Sequence, residues 1–271
     1  MTDKLIDRRY GKQGLPAPHD WNQTLETLLS HKSIRAYLAD PLPTGPIEQL
    51  VVAAQSASSS SNLQTWSVVA VEDVERKAKL AALANNQAHI LQAPVLLVWL
   101  ADLARLSRVA ERQGLPHEGL DYLESFLTAA IDAALAAQNA AVAAESLGLG
   151  IVYIGALRNR PAEVAALLGL PPQTFAVFGM CVGYPDPQVQ TAVKPRLAQS
   201  AILHHERYQL THQDDAIDEY DAIMNEFYTS HNLSNPGSWS EHSSQRIATR
   251  ESLSGRDRLL EVLKTLGFPL K

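Results

Sequence analysis

The sequence holds a single cysteine, Cys181, which excludes an internal disulfide framework and any multi-cysteine zinc site. Aromatic residues make up only 6% of the 271 residues while alanine is abundant, so the core is expected to be helix-rich and packed through small side chains. Positive charge is not in excess: 23 basic against 29 acidic residues give a formal charge of −6. That balance argues against a general nucleic-acid binder but leaves room for a local basic pocket that holds an anion. The opening stretch "MTDKLIDRRYGKQGLPAPHD" has no apolar run and is read as no secretory signal. No stretch is read as membrane-spanning, because the nearest, residues 123–147, carries Glu124, Asp132, Gln138, Asn139 and Glu145. A soluble, cytoplasmic protein without membrane or nucleic-acid partners is expected.

Several catalytic signatures are missing as well. Gly148, Gly150 and Gly155 do not have the dinucleotide spacing, and Ala156-Leu157 stands where a P-loop needs Lys-Ser/Thr. "HERYQ" ends in Gln209 rather than the second histidine of a zinc protease, and no G-x-S-x-G elbow occurs. Cys181 lies in an apolar strand and is read as a small buried hydrophobe.

What is present reads as α+β. Residues 1–20 look like a charged N-terminal arm punctuated by Gly11, Gly14, Pro16 and Pro18, ahead of one domain over 21–271 with a helical C-terminal extension. Trp21, Leu25, Leu28 and Leu29 have helical spacing, and Pro46 suits the first turn of a second helix. "WSVVAVED", "APVLLVWLAD", "GIVYIGAL" and "FAVFGMCVGYP" read as strands, the second of them central. "DVERKAKLAALA" and "PAEVAALLGLP" read as helices, the latter opened by Pro161. Residues 123–147 form a helix apolar over most of its circumference, placed in the middle of the fold or at a subunit interface and ended by Gly148. Further helices are expected at 214–228 and 256–266, with a Ser-, Asn- and Gly-rich loop between them. Helices and strands do not alternate regularly, which disfavours a doubly wound sheet.

Three separated segments put small or cationic groups where the chain must turn. In "SHKSIRAY", His31, Ser33 and Arg35 share a side if extended, and His31 and Arg35 share one if helical. Either arrangement suits a phosphate, and either is equally the basic end of a surface helix. "SSSSNLQ" sits between two apolar elements, where Ser58, Ser59, Ser60 and Ser61 form either a floor of hydroxyl and N–H donors or a linker. In "VKPRL", Lys194 and Arg196 flank Pro195, a stiff pair of cations or a solvated basic turn. Gln87 in "NNQAH" adds a candidate polar contact.

Taken in order, "HKSIR", "SSSSNLQ", "NNQAH", "AAESLGLGIVYIGALRN", "FGMCVGYP", "VKPRL" and "WSEH" resemble the nitroreductase/flavin reductase family, in its oxygen-insensitive NAD(P)H nitroreductase branch. The resemblance implies a nitroreductase-like fold, a central mixed sheet surrounded by helices in an interlocked homodimer. It implies noncovalent FMN, NAD(P)H as electron donor, and two-electron ping-pong hydride transfer to nitroaromatics, quinones or similar small-molecule acceptors. The alternatives are a flavin reductase that supplies reduced FMN to a partner, or a non-catalytic FMN-binding module. Carried over by position, His31, Lys32, Ser33 and Arg35 would hold the phosphate, ribityl and pyrimidine edge, and Ser58 to Ser61 would come from the partner chain. Gln87 would meet the ring, Tyr153, Ile154, Gly155 and Ala156 would line it, and Lys194 and Arg196 would grip the phosphate end. Chemistry is carried by FMN, so no catalytic side chain and no metal is implied. Lys32 replaces a usual arginine and Ala156 a usual glycine, and residues 234–238, where that branch receives the 2′-phosphate, lack Lys and Arg. Little discrimination between NADH and NADPH is therefore expected.

Overall fold

A computed structural model of the chain describes residues 2–11, 20–231, 233 and 237–271. Residues 12–19 of the expected arm, and 234–236 of the loop on which nucleotide preference was read, lie outside the described residues. The helices among the described residues are α1 (Thr2–Tyr10), α2 (Gln23–Ser30), α3 (Pro46–Gln55), α4 (Val74–Leu83), α5 (Ala88–Gln92), α6 (Ala104–Gln113), α7 (Leu123–Ser146), α8 (Pro161–Leu168), α9 (Asp214–Ser230), α10 (Trp239–Arg246) and α11 (Leu259–Thr265). The strands are β1 (Trp66–Val71), β2 (Val95–Asp102), β3 (Gly150–Ile154) and β4 (Thr174–Gly183). Two compact units result, one of residues 33–189 with 254–271, the other of 1–32 with 190–253.

The first unit is built on a four-stranded sheet in the order β1-β2-β4-β3. Every strand pair is antiparallel, and the mixed character expected of the sheet is confined to one parallel bridge, Ser33 to Ile151. Strand β2 is buried along its whole length because both faces are covered. Val95, Leu97 and Trp99 pack with Met180 and Val182 against Ala136, Ala137, Ala140, Ala141 and Ala144 of α7. Leu96, Val98 and Leu100 face the other way, with Leu80, Ile90, Val164 and Cys181.

Alanine at the α7 contact lets the helix backbone approach the sheet closely. By length and composition α7 also passes as a membrane-crossing helix, which corrects the expectation that no stretch qualifies. Its alanine face is nonetheless buried in the core, together with Asp132. Gly148 adopts positive φ and its N–H bonds Glu145 O, closing the helix as expected.

The second unit holds α1, α2, α9 and α10. Ala216, Tyr220 and Met224 form the buried stripe of α9, and Tyr220 meets Trp239 of α10 edge to face with centroids 5.4 Å apart. The expected loop after α9 is corrected by α10: Ser238 and Glu241 form a reciprocal capping box, and Ser240 N donates to Asp221 Oδ1 at 2.9 Å. Residues 2–10, read as part of an arm, form α1, in which Leu5 and Arg9 are buried.

Candidate functional site

In the sheet unit, residues 33–37 run from a bridge with β3, Ser33 to Ile151, to a bridge just past the end of β4, Tyr37 to Pro185. Ile34 N donates to Ile151 O at 2.9 Å, and Ile34 and Tyr37 are buried while Arg35 stays exposed. Of the two geometries left open for this segment, the extended one holds here. It depends on Gly150, where an added Cβ would lie 2.6 Å from Ile34 Cγ1. His89 on α5 has its pKa lowered by burial first and by the positive charge of Arg35 second. Gln87 is the residue that caps α5, after Asn85 and Asn86 in left-handed conformations.

The end of β3 supplies the other expected group. Tyr153 is partly exposed, packs edge-on against Phe178 at 5.2 Å, and reaches Gln138 of α7 through its hydroxyl at 3.4 Å. The side chains of Ile154 and Ala156 belong to the core, so these two residues offer a ligand their backbone rather than their side chains. Gly155 begins a short 3-10 turn between them.

The serine run is held by a residue that sequence reasoning had counted only as an argument against a membrane span. Asp132, 2% exposed on α7, accepts hydrogen bonds from Ser59 Oγ at 2.7 Å, Ser60 N at 3.2 Å, Thr65 Oγ1 at 3.1 Å and Thr65 N at 3.4 Å. Ser59 Oγ also accepts from Gln64 N at 2.8 Å. Ser61, Asn62 and Gln64 all adopt positive φ without being glycine, a strained arrangement that the surrounding bonds must enforce. Arg105 secures the far end, donating to Gln64 O at 2.9 Å, Trp66 O at 3.2 Å and Ser67 Oγ at 2.6 Å. The run is thus a clamped loop, with Ser58, Ser60 and Ser61 exposed on it, and the linker reading is set aside.

In the helical unit, the basic residues follow the same alternation. Lys194 and Arg196 are exposed on either side of buried Pro195, whose carbonyl accepts from Tyr220 Oη at 3.0 Å. Lys194 Nζ lies 5.7 Å from the Tyr228 ring centroid, and Arg196 Nη1 reaches back to Pro195 O at 3.2 Å. Lys32 is exposed and His31 half-buried after the end of α2. The two strings are joined by Arg9, which donates to Leu29 O at 2.8 Å, His31 O at 2.9 Å and Lys194 O at 2.9 Å.

Each unit's donors fit part of an anionic, hydrogen-bonding heteroaromatic ligand such as FMN: the exposed Lys32, Lys194 and Arg196 of the helical unit suit a phosphate, and the exposed Arg35 and Tyr153 of the sheet unit suit a polar ring. The strings 31–35 and 193–197 carry cations and no carboxylate, and three carbonyls near them are already taken by Arg9. Among the described residues no cluster of His, Cys, Asp or Glu can hold a metal.

Comparison with known proteins fills in the rest. A model of the "Nitroreductase family" matches residues 28–184, and a model of the family's C-terminal domain matches 194–271. A Vibrio harveyi NADPH-flavin oxidoreductase is 40% identical over 91% of this chain and 98% of its own length. A Bacillus subtilis FMN reductase [NAD(P)H] is 38% identical over 92% and 99%. The solved structure of Bacillus megaterium NfrA2 superposes with a TM-score of 0.87 at 38% identity, covering 93% of this chain and all of that one.

Proposed function

The chain belongs to the nitroreductase family, and from that premise we propose that it is an FMN-dependent NAD(P)H oxidoreductase that reduces nitroaromatics, quinones or similar small acceptors. The observation that carries this reading is the donor set, basic, carboxylate-free strings and a clamped serine loop, in a chain whose relatives include an FMN reductase. Bound FMN supplies the two-electron carrier between nicotinamide and acceptor.

The protein's part is positioning and charge. Lys194, Arg196 and His31 would hold the phosphate end, with Lys32, Ser33 and Arg35 at the ribityl and pyrimidine edge. Tyr153 and the backbone of Ile154, Gly155 and Ala156 would flank the ring, with Gln87 at its rim. Because those core side chains are fixed by packing, the ring-facing backbone is preorganised.

A homodimer is part of the proposal. Leu123, Leu127, Ile131 and Leu135 recur every four residues along α7 and are all exposed, a stripe suited to a second copy of the chain. Ser58 to Ser61 would then serve the partner's cofactor. We also propose a cytoplasmic protein in which residues 1–20 are an arm ahead of a single FMN-binding domain over 21–271.

Two acceptor classes remain within this reading, since the relatives include proteins named for FMN reduction. Anaerobic NAD(P)H oxidation with a nitrofuran, set against free FMN as acceptor, tests the assignment. Faster turnover of the nitrofuran supports a nitroreductase, faster turnover of free FMN supports a flavin supplier, and no oxidation with either refutes the enzyme.

A further inference from the structure

Arg9 lies ahead of the residues matched by the family models, which begin at residue 28. The Vibrio harveyi relative is covered over 98% of its length by only 91% of this chain. This arginine is nevertheless 5% exposed and reaches three carbonyls from two segments that are far apart in sequence: Leu29 O and His31 O on one, Lys194 O on the other. The connection runs both ways, because Arg196 N donates to Arg9 O at 2.8 Å. Leu5, buried one turn earlier in α1, seats the helix that carries it.

We propose that Arg9 is a positioning residue for the phosphate end of FMN: its guanidinium gathers the carbonyls of the His31 and Lys194 segments, so that these segments turn cations rather than lone pairs toward the phosphate. The inference rests on the functional reading above. A carbonyl oxygen pointing at a phosphate is repulsive, and three carbonyls in this region are engaged by one cation. A planar, fork-shaped guanidinium spreads its donors over these three carbonyls, whereas a lysine ammonium is a compact point charge without that spread. The guanidinium also places a permanent positive charge behind the two strings.

A purely structural Arg9 would lower stability without changing which flavin the protein prefers. The test therefore titrates FMN and riboflavin, which lacks the phosphate, into wild type, Arg9→Ala and Arg9→Lys, with thermal melting of the flavin-free proteins alongside. Wild type is expected to prefer FMN. Arg9→Ala should lose roughly tenfold or more in FMN affinity while riboflavin affinity holds, so the preference collapses. Arg9→Lys should fall between them, and it carries the test if Arg9→Ala does not fold. Equal losses for both flavins, or no loss for either, overturn the inference. A wild type that takes up no FMN overturns the functional reading too, whereas wild-type FMN binding with unchanged variants overturns only the role of Arg9.

Discussion

Replacing Asp132 should open the serine loop. The carboxylate accepts four hydrogen bonds, of which those from Ser59 Oγ at 2.7 Å and Thr65 Oγ1 at 3.1 Å are the best placed side-chain contacts. Hydrogen bonds to charged groups contribute about 1.5–3 kcal/mol each, but not additively. The two amides add less: Ser60 is exposed and can be rehydrated, and the bond from buried Thr65 N is long at 3.4 Å. Asp132→Ala is therefore expected to cost about 3 kcal/mol, equivalent to a fall of about 6–12 °C in Tm for a chain of this size. Strain favours the opening but offsets part of the cost: Ser61, Asn62 and Gln64 sit at positive φ, and each non-glycine residue there costs about 1–2 kcal/mol, some of which is released when the clamp goes. Asp132→Asn keeps one acceptor oxygen but turns an amide donor toward the other side, so about half the loss is expected. Chemical denaturation gives the stability change, and hydrogen exchange at the Ser60 and Thr65 amides locates it. An alanine variant within about 0.5 kcal/mol of wild type, with Thr65 still protected, refutes the clamp.

Gly150→Ala would put a methyl 2.6 Å from Ile34 Cγ1; a cost of about 1–3 kcal/mol and weaker FMN binding are expected, and an unchanged Kd and Tm would contradict the close approach. His89 has a lowered pKa from burial and Arg35, so it stays neutral in the fold at a pH where the unfolded chain takes up a proton. Its contribution to stability is accordingly complete above the ordinary histidine pKa and is lost as pH falls below it; NMR titration should show a depressed midpoint that rises in Arg35→Met. Burial pushes the Cys181 thiol up to about 12, so a thiol reagent at pH 8 should label it only after denaturation. With no Lys or Arg in residues 234–238, kcat/KM for NADH and NADPH should agree within about tenfold, and a roughly hundredfold preference for NADPH would mean that another basic residue reads the 2′-phosphate.

The strands and α7 were legible because their signals are local: uninterrupted apolar runs for β2 and β4, an alanine-rich helical run closed by Gly148 for α7. The capping box of α10 was equally local, in Ser238 and Glu241, but was obscured by the Ser- and Asn-rich composition around it. The contacts that escaped act over long separations. Asp132 meets Ser59 across 73 positions and Arg9 meets Lys194 across 185, distances at which no periodicity speaks. One signal for Asp132 did exist: it shares the buried stripe of α7 with Ala129, Ala133 and Ala136, and a carboxylate on such a stripe needs partners. Arg9 was hidden because residues 1–20 read as a charged arm, so that neither α1 nor a buried arginine on it was expected.

The most direct measurement is the visible spectrum of the purified protein after FMN is added and unbound flavin removed, then recorded under argon as NAD(P)H is introduced. One FMN retained per chain, bleached by the nucleotide and restored by a nitroaromatic or quinone, is the predicted result. A protein that retains no FMN, or whose bound FMN keeps its colour in excess NADH and NADPH, contradicts the account.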